Sequence, residues 1–102
     1  MPMQLQKVFL NQTELQIELR TGLDLSFVSN AEIRYKKPDG ETGFFPATID
    51  TGRHGVMFYN IQSANDIDQK GDWTVWAYAE FPSGNVIYGQ ATYFTVEEEG
   101  TL

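Results

Sequence analysis

The chain holds one histidine and no cysteine in 102 residues, so any reaction chemistry would have to come from carboxylates, hydroxyls and a single imidazole. His54 lies in Gly52-Arg53-His54-Gly55, with no serine or carboxylate at a diagnostic spacing. A general base needs an orienting partner and a nucleophile or substrate within reach, so His54 reads as an exposed turn residue. Asn65, Asp66 and Asp68 could offer oxygen donors to calcium, which takes six to eight of them. They lack the glycine and the bidentate glutamate of an EF-hand loop. The stronger reading has Asn65 and Asp66 capping a short helical turn while Asp68 accepts backbone N–H groups before the next strand. Glu14, Glu18, Glu32 and Glu80 could suggest the paired carboxylates of a glycosidase, about 5 to 9.5 Å apart. Each falls on the outward phase of its strand, where a carboxylate stays solvated. A catalytic residue, a cofactor site and a metal site are therefore not expected, and the chain reads as non-enzymatic.

One group points to contact instead of catalysis. Trp76 and Tyr78 occupy the phase opposite Trp73, Val75, Ala77 and Ala79, and Tyr88 can join them from the neighbouring strand. Two or three aromatics on one exposed sheet face would form a candidate interaction surface for protein or carbohydrate. Two other arrangements are open: a loop or the N-terminal strand covers them, or a bulge switches the phase and sends Trp76 inward.

These residues must be positioned by strands. Leu15, Ile17 and Leu19 alternate with polar residues, as do Ala31, Ile33 and Tyr35, giving half-buried strands of period two. Leu5 to Leu10 is a weaker strand, and Leu23 and Leu25 plug one end of the core. Lys37-Pro38-Asp39-Gly40 supplies a hairpin turn. Pro46, within the run carrying Phe45, Ala47 and Ile49, places that run at a sheet edge. In the stretch from Val56 to Ile61, Met57, Tyr59 and Ile61 are taken as the inward set. A polar connection from Gln62 to Lys70, holding a helical turn, leads to a closing hairpin of Trp73 to Phe81 and Val86 to Val96, where Gly89 suggests a bulge. The expected fold is thus an all-β, immunoglobulin-like antiparallel β-sandwich of about seven strands. It would form one domain over residues 1–96, followed by a frayed acidic tail at 97–102. Leu15, Ile17, Leu19, Ile33, Tyr35, Trp73, Val75, Phe94 and Val96 are its expected core.

Composition narrows the function classes. Seven Phe, five Tyr and two Trp favour sheet. Fourteen acidic against seven basic residues give a net charge of −7, which repels a phosphate backbone, so nucleic acid is not an expected partner. No apolar run approaches the roughly 20 residues of a membrane span, and the first residues lack a secretory signal pattern.

A family resemblance follows from the closing hairpin. Asp68, Gly71 and Trp73 before a strand look like the Asp-x-Gly-x-Tyr corner of immunoglobulin-type domains, with one extra residue between Asp68 and Gly71 and tryptophan for tyrosine. Together with Leu23-Asp24-Leu25-Ser26, Ile33 to Gly40, Pro82-Ser83-Gly84 and Phe94-Thr95-Val96, this string is similar to immunoglobulin-like domains of tailed-bacteriophage structural proteins, the N-terminal domain of siphophage baseplate upper proteins among them. The resemblance implies a structural or accessory protein of a phage or prophage particle, found in the virion or in the host cytoplasm during assembly. It would act through contacts with other phage structural proteins or with itself. A carbohydrate-binding module using Trp76, Tyr78 and Tyr88 is the alternative.

Overall fold

A computed structural model describes residues 8–100 as two packed sheets without a helix. The strands are β1 (Val8–Phe9), β2 (Leu15–Arg20), β3 (Asn30–Lys36), β4 (Thr42–Pro46), β5 (Thr48–Ile49), β6 (Val56–Ile61), β7 (Gly71–Glu80), β8 (Val86–Tyr88) and β9 (Thr92–Glu97). The larger sheet runs β1-β9-β7-β3-β4, with β8 also on β7, and the smaller runs β2-β6-β5. Every pairing is antiparallel except β1 on β9, which is parallel. This is the expected immunoglobulin-like β-sandwich. The seven expected runs become nine strands because two of them are broken.

The first break is at Pro46. β4 pairs with β3 up to Pro46 opposite Glu32, the Ala47 N–H donates to the Ala31 carbonyl at 3.0 Å, and Thr48 then pairs with Phe58 on the other sheet. Proline offers no N–H to a ladder, so the run leaves one sheet there and joins the second. The second break is at Gly89. Three steps along β7, from Val75 to Tyr78, match four steps from Tyr88 back to Thr92, so one extra residue is accommodated between β8 and β9. The Gly89 N–H donates to the Ala77 carbonyl at 2.9 Å, and a Cβ at Gly89 would come within 3.0 Å of the Ala77 Cβ. The bulge lies on the partner strand, so β7 keeps its phase and Trp76 stays outward.

The core follows the alternation. Leu15, Ile17, Leu19, Ile33, Trp73, Val75, Phe94 and Val96 are buried, and Tyr35 packs against them half-exposed. On β6, Met57 and Ile61 are buried and Tyr59 packs against the core, as expected, while Val56 is buried too. Trp73 stacks on Phe94 with ring centroids 5.8 Å apart and tilts against Tyr35 at 5.2 Å. Its indole N–H donates to the Gln69 carbonyl at 3.0 Å, closing a corner like the one a tyrosine makes in immunoglobulin domains. Gly71 enters this corner at φ 116, with Pro38 so near that an added Cβ would lie 2.9 Å from it.

Three expectations are corrected. The connection from Gln62 to Lys70 holds no helical turn: the Asp66 N–H donates to the Ser63 carbonyl at 3.0 Å in a single tight turn, and Ile67 drops into the core. Asp68 does not accept backbone N–H groups but pairs with Lys37 at 3.0 Å, pinning this connection to the β3–β4 hairpin. Burial alone would lower the Lys37 ammonium, yet Asp68 and Glu41 outweigh it and hold its pKa well above the ordinary range. The acidic tail starts later than expected, because Glu97 belongs to β9, receives the Leu10 N–H at 2.8 Å, and is followed by Glu98 paired to Lys70. Of the strand expected over Leu5 to Leu10, Val8–Phe9 is strand, and Leu5, Gln6 and Lys7 lie outside the described residues.

Candidate functional site

β3, β4 and β7 lay their outward residues in register across the larger sheet. Arg34 on β3 faces Trp76 on β7 and Phe44 on β4, and in the next row Glu32 faces Tyr78, which faces Tyr88 on β8. Arg34 thus has Phe44 and Trp76 as its cross-strand neighbours, with Tyr78 and Tyr88 in the adjacent row. The Arg34 guanidinium carbon lies 3.6 Å from the Tyr78 ring centroid and 6.0 Å from that of Tyr88, within cation–π range of both rings. The two tyrosine rings are tilted 5.5 Å apart.

Polar partners fix this cluster. Arg34 Nε donates to Glu32 Oε1 at 3.0 Å, and the Glu32 pair holds the guanidinium's pKa above its ordinary value. The Tyr78 hydroxyl donates to Glu80 Oε2 at 3.3 Å, and desolvation followed by the Glu80 charge pushes the phenol's pKa up. Arg34 is thus held in place with its side chain 35% exposed, and its remaining guanidinium N–H groups can donate to a carboxylate or a carbonyl.

The expected surface residues Trp76, Tyr78 and Tyr88 are brought together, but their exposures differ. Tyr88 is 59% exposed and Trp76 is half-buried, whereas Tyr78 is only 8% exposed. The assumption that the outward phase is solvent-facing fails at Tyr78 because the flat side chain of Arg34 lies over its ring and Tyr88 flanks it. Phe44 and Tyr93, both substantially exposed, enlarge the face, and neither was expected. Phe44 had a signal in the sequence, being out of phase with Phe45 beside it on the β4 edge. Arg34 had one as well, since it shares the phase of Glu32 on a strand whose inward set was read correctly.

The other candidates do not converge. His54 lies beside a groove of about 520 Å³ between the β2–β3 and β5–β6 connections, lined also by Asp24, Ser26, Phe27, Asp50 and Arg53. Ser26 turns both its amide and its hydroxyl to Asp24 rather than to the imidazole, which lowers the Asp24 pKa. Asp66 takes the Tyr59 hydroxyl at 3.1 Å and two backbone N–H groups, and Asp68 takes Lys37, so the two carboxylates serve separate structural bonds. Among the described residues no group of three or more His, Cys, Asp or Glu side chains is placed to hold a metal ion. Glu18 lies on the smaller sheet, bound by Arg53 at 2.6 Å and by Arg20, and these bonds lower its pKa below the ordinary value expected for a solvated strand face. Glu32 and Glu80 are on the larger sheet with the partners already given, and Glu14 is exposed.

Neither a family model nor a curated protein sequence matches this chain. Its sandwich is similar to a solved structure, CopC from Methylosinus trichosporium OB3b, with a TM-score of 0.59 at 16% identity over 94% of this chain and 88% of that one. That likeness is one of fold. With it the expected role in a bacteriophage or prophage particle is corrected, because the solved structure to which this sandwich is similar is CopC, not a phage structural protein. The residues that suggested a phage domain mark turns and core positions, and these specify the sandwich without specifying its work. No helix among the described residues is long and apolar enough to cross a membrane.

Proposed function

We propose that this chain is a non-catalytic binding domain that docks a protein partner on the outer face of its larger sheet. One observation carries the reading: Arg34 faces Phe44 and Trp76 in register and lies within cation–π range of the Tyr78 and Tyr88 rings. Arginine and large aromatics are the residue types that dominate protein interfaces when they cluster, with polar groups such as Glu32 and Glu80 around them. The face is rigid because it is built on strands, so little ordering entropy opposes docking.

The mechanism is recognition by a fixed surface. Tyr88, Phe44 and Trp76 supply apolar area, and the pre-stacked Arg34 supplies a planar donor for a carboxylate or carbonyl on the partner. A photo-crosslinking residue placed at Tyr88 should capture a protein, while the same residue at Asn60, on the far sheet, should not. Tyr88→Ala and Arg34→Ala should each weaken that complex by about tenfold or more. Equal capture from Asn60, or tryptophan quenching by a glycan panel with no protein captured from Tyr88, would refute a protein-docking face.

A further inference from the structure

The sandwich protects its strand edges unevenly. At one border of the larger sheet β4 carries Pro46, and at the other β1 pairs over only two residues. β8 is three residues long, and β5 is two residues long and continuous with β4. β2 is different: Leu15-Gln16-Ile17-Glu18-Leu19-Arg20 is six residues long, has no proline or glycine, and pairs with β6 on one side only. Short strands, prolines and bulges are how folds keep edges from pairing with other chains, and β2 has none of them along its length.

The hydrogen-bond phase shows what this edge offers. The Thr21 N–H donates to the Gly55 carbonyl at 2.7 Å, and the register continues from Arg20 opposite Val56 to Leu15 opposite Ile61. In an antiparallel ladder the bonded positions alternate, so Leu15, Ile17 and Leu19 bond toward β6, while the N–H and C=O groups of Gln16, Glu18 and Arg20 turn away from it. Among the described residues no strand lies on that side.

We propose that β2 pairs with β2 of a second copy of this chain, antiparallel about a two-fold axis at Leu19. This choice of centre follows from charge. With the axis at Glu18, two glutamates would oppose each other, which destabilises a sheet. With the axis at Leu19, Glu18 of each copy opposes Arg20 of the other, and both residues lie in the phase whose backbone groups are free to bond. The Arg20 side chain is 61% exposed and bonds Glu18 of its own chain at 3.3 Å, so in the pair it would exchange that partner for Glu18 of the other copy. The pair would join two three-stranded sheets into one of six and bring the two Leu19 side chains together across the axis. The interface is isologous, so it closes at a dimer. It involves none of the residues of the aromatic face.

Sedimentation equilibrium of the full chain over rising concentration tests this. A monomer–dimer equilibrium is expected, with Arg20→Glu weakening it by about tenfold because each of two opposed pairs becomes repulsive. Glu18→Arg should weaken it similarly, with thermal melting used to confirm that the variant folds without its bond to Arg53. Mixing the two variants should restore dimers as heterodimers, since one chain then carries glutamate at both positions of the pair and the other carries arginine at both. A monomer at every concentration would overturn the proposal, as would a dimer that ignores both charge changes. Dimers that appear only after residues 1–7 are removed would also overturn it, because the chain's own segment would then hold the edge.

Discussion

Replacing Trp73 with alanine removes the side chain on which the larger sheet's corner and core meet. The residue is fully buried, between Phe94 at 5.8 Å and Tyr35 at 5.2 Å, and its N–H is bonded to Gln69. A large aromatic removed from such a site leaves a void that the neighbouring rings cannot fill, and costs about 3 to 5 kcal/mol. Leaving the Gln69 carbonyl without its donor adds to the loss, by about 1 kcal/mol or more. Against a total stability of roughly 5 to 15 kcal/mol, the variant should lose from about a quarter of its stability to nearly all of it. Its melting temperature should fall by roughly 15 to 30 °C. Trp73→Phe keeps most of the packing and loses the N–H, so it should cost about 1 to 3 kcal/mol. Urea denaturation followed by circular dichroism measures both, and Trp76, then the only tryptophan, gives a second signal. A loss below about 1 kcal/mol for Trp73→Ala, at unchanged dependence on urea, would refute the corner-and-core role.

Two further outcomes follow from the geometry. Gly71→Ala should destabilise by more than about 1 kcal/mol, since the residue sits at φ 116 and the new Cβ would meet Pro38 at 2.9 Å; a melting curve equal to that of the parent would contradict this. Arg53 holds the Glu18 carboxylate below its ordinary value of 4.5, so this carboxylate contributes stability above that value and loses it as pH falls through the lowered one. Arg53→Ala should therefore flatten the acid limb of the stability–pH curve, and an identical limb in parent and variant would show the pair to be inert.

Much of the architecture was legible because burial on one face imposes period two. Leu15, Ile17 and Leu19, and Trp73 and Val75, could be placed inside from alternation alone; Gly89 marked one interruption, and Pro46 placed its run at a sheet edge. What alternation could not show was how far the Pro46 interruption goes, carrying the chain from one sheet to the other, because that depends on which neighbour lies beyond the edge. Ile67 escaped notice for a related reason: a single apolar residue in a polar loop has no periodicity to reveal it. At the candidate site, phase put Trp76, Tyr78 and Tyr88 on the outer side of the sheet but mistook outward for exposed at Tyr78. Covering of Tyr78 is a contact between Arg34 and its ring across two strands, and cross-strand register is not written in either strand alone. The carboxylates near residue 66 gave the opposite lesson, since adjacency in sequence suggested a shared ligand while the chain sends them to Tyr59 and Lys37.

The run that crosses at Pro46 also bears on how the molecule opens. Phe45, still on the larger sheet, stacks on Tyr59 of the smaller one with ring centroids 4.8 Å apart and nearly parallel planes, and three residues later, at Thr48, the same backbone is paired into that smaller sheet. Neither sheet can peel away without breaking this stack and drawing out a strand shared with the other. A three-stranded sheet alone would be a natural unit for partial unfolding. Here its border strand β5 continues directly from β4 of the larger sheet, so the two layers are expected to open, and to exchange their protected amides, together.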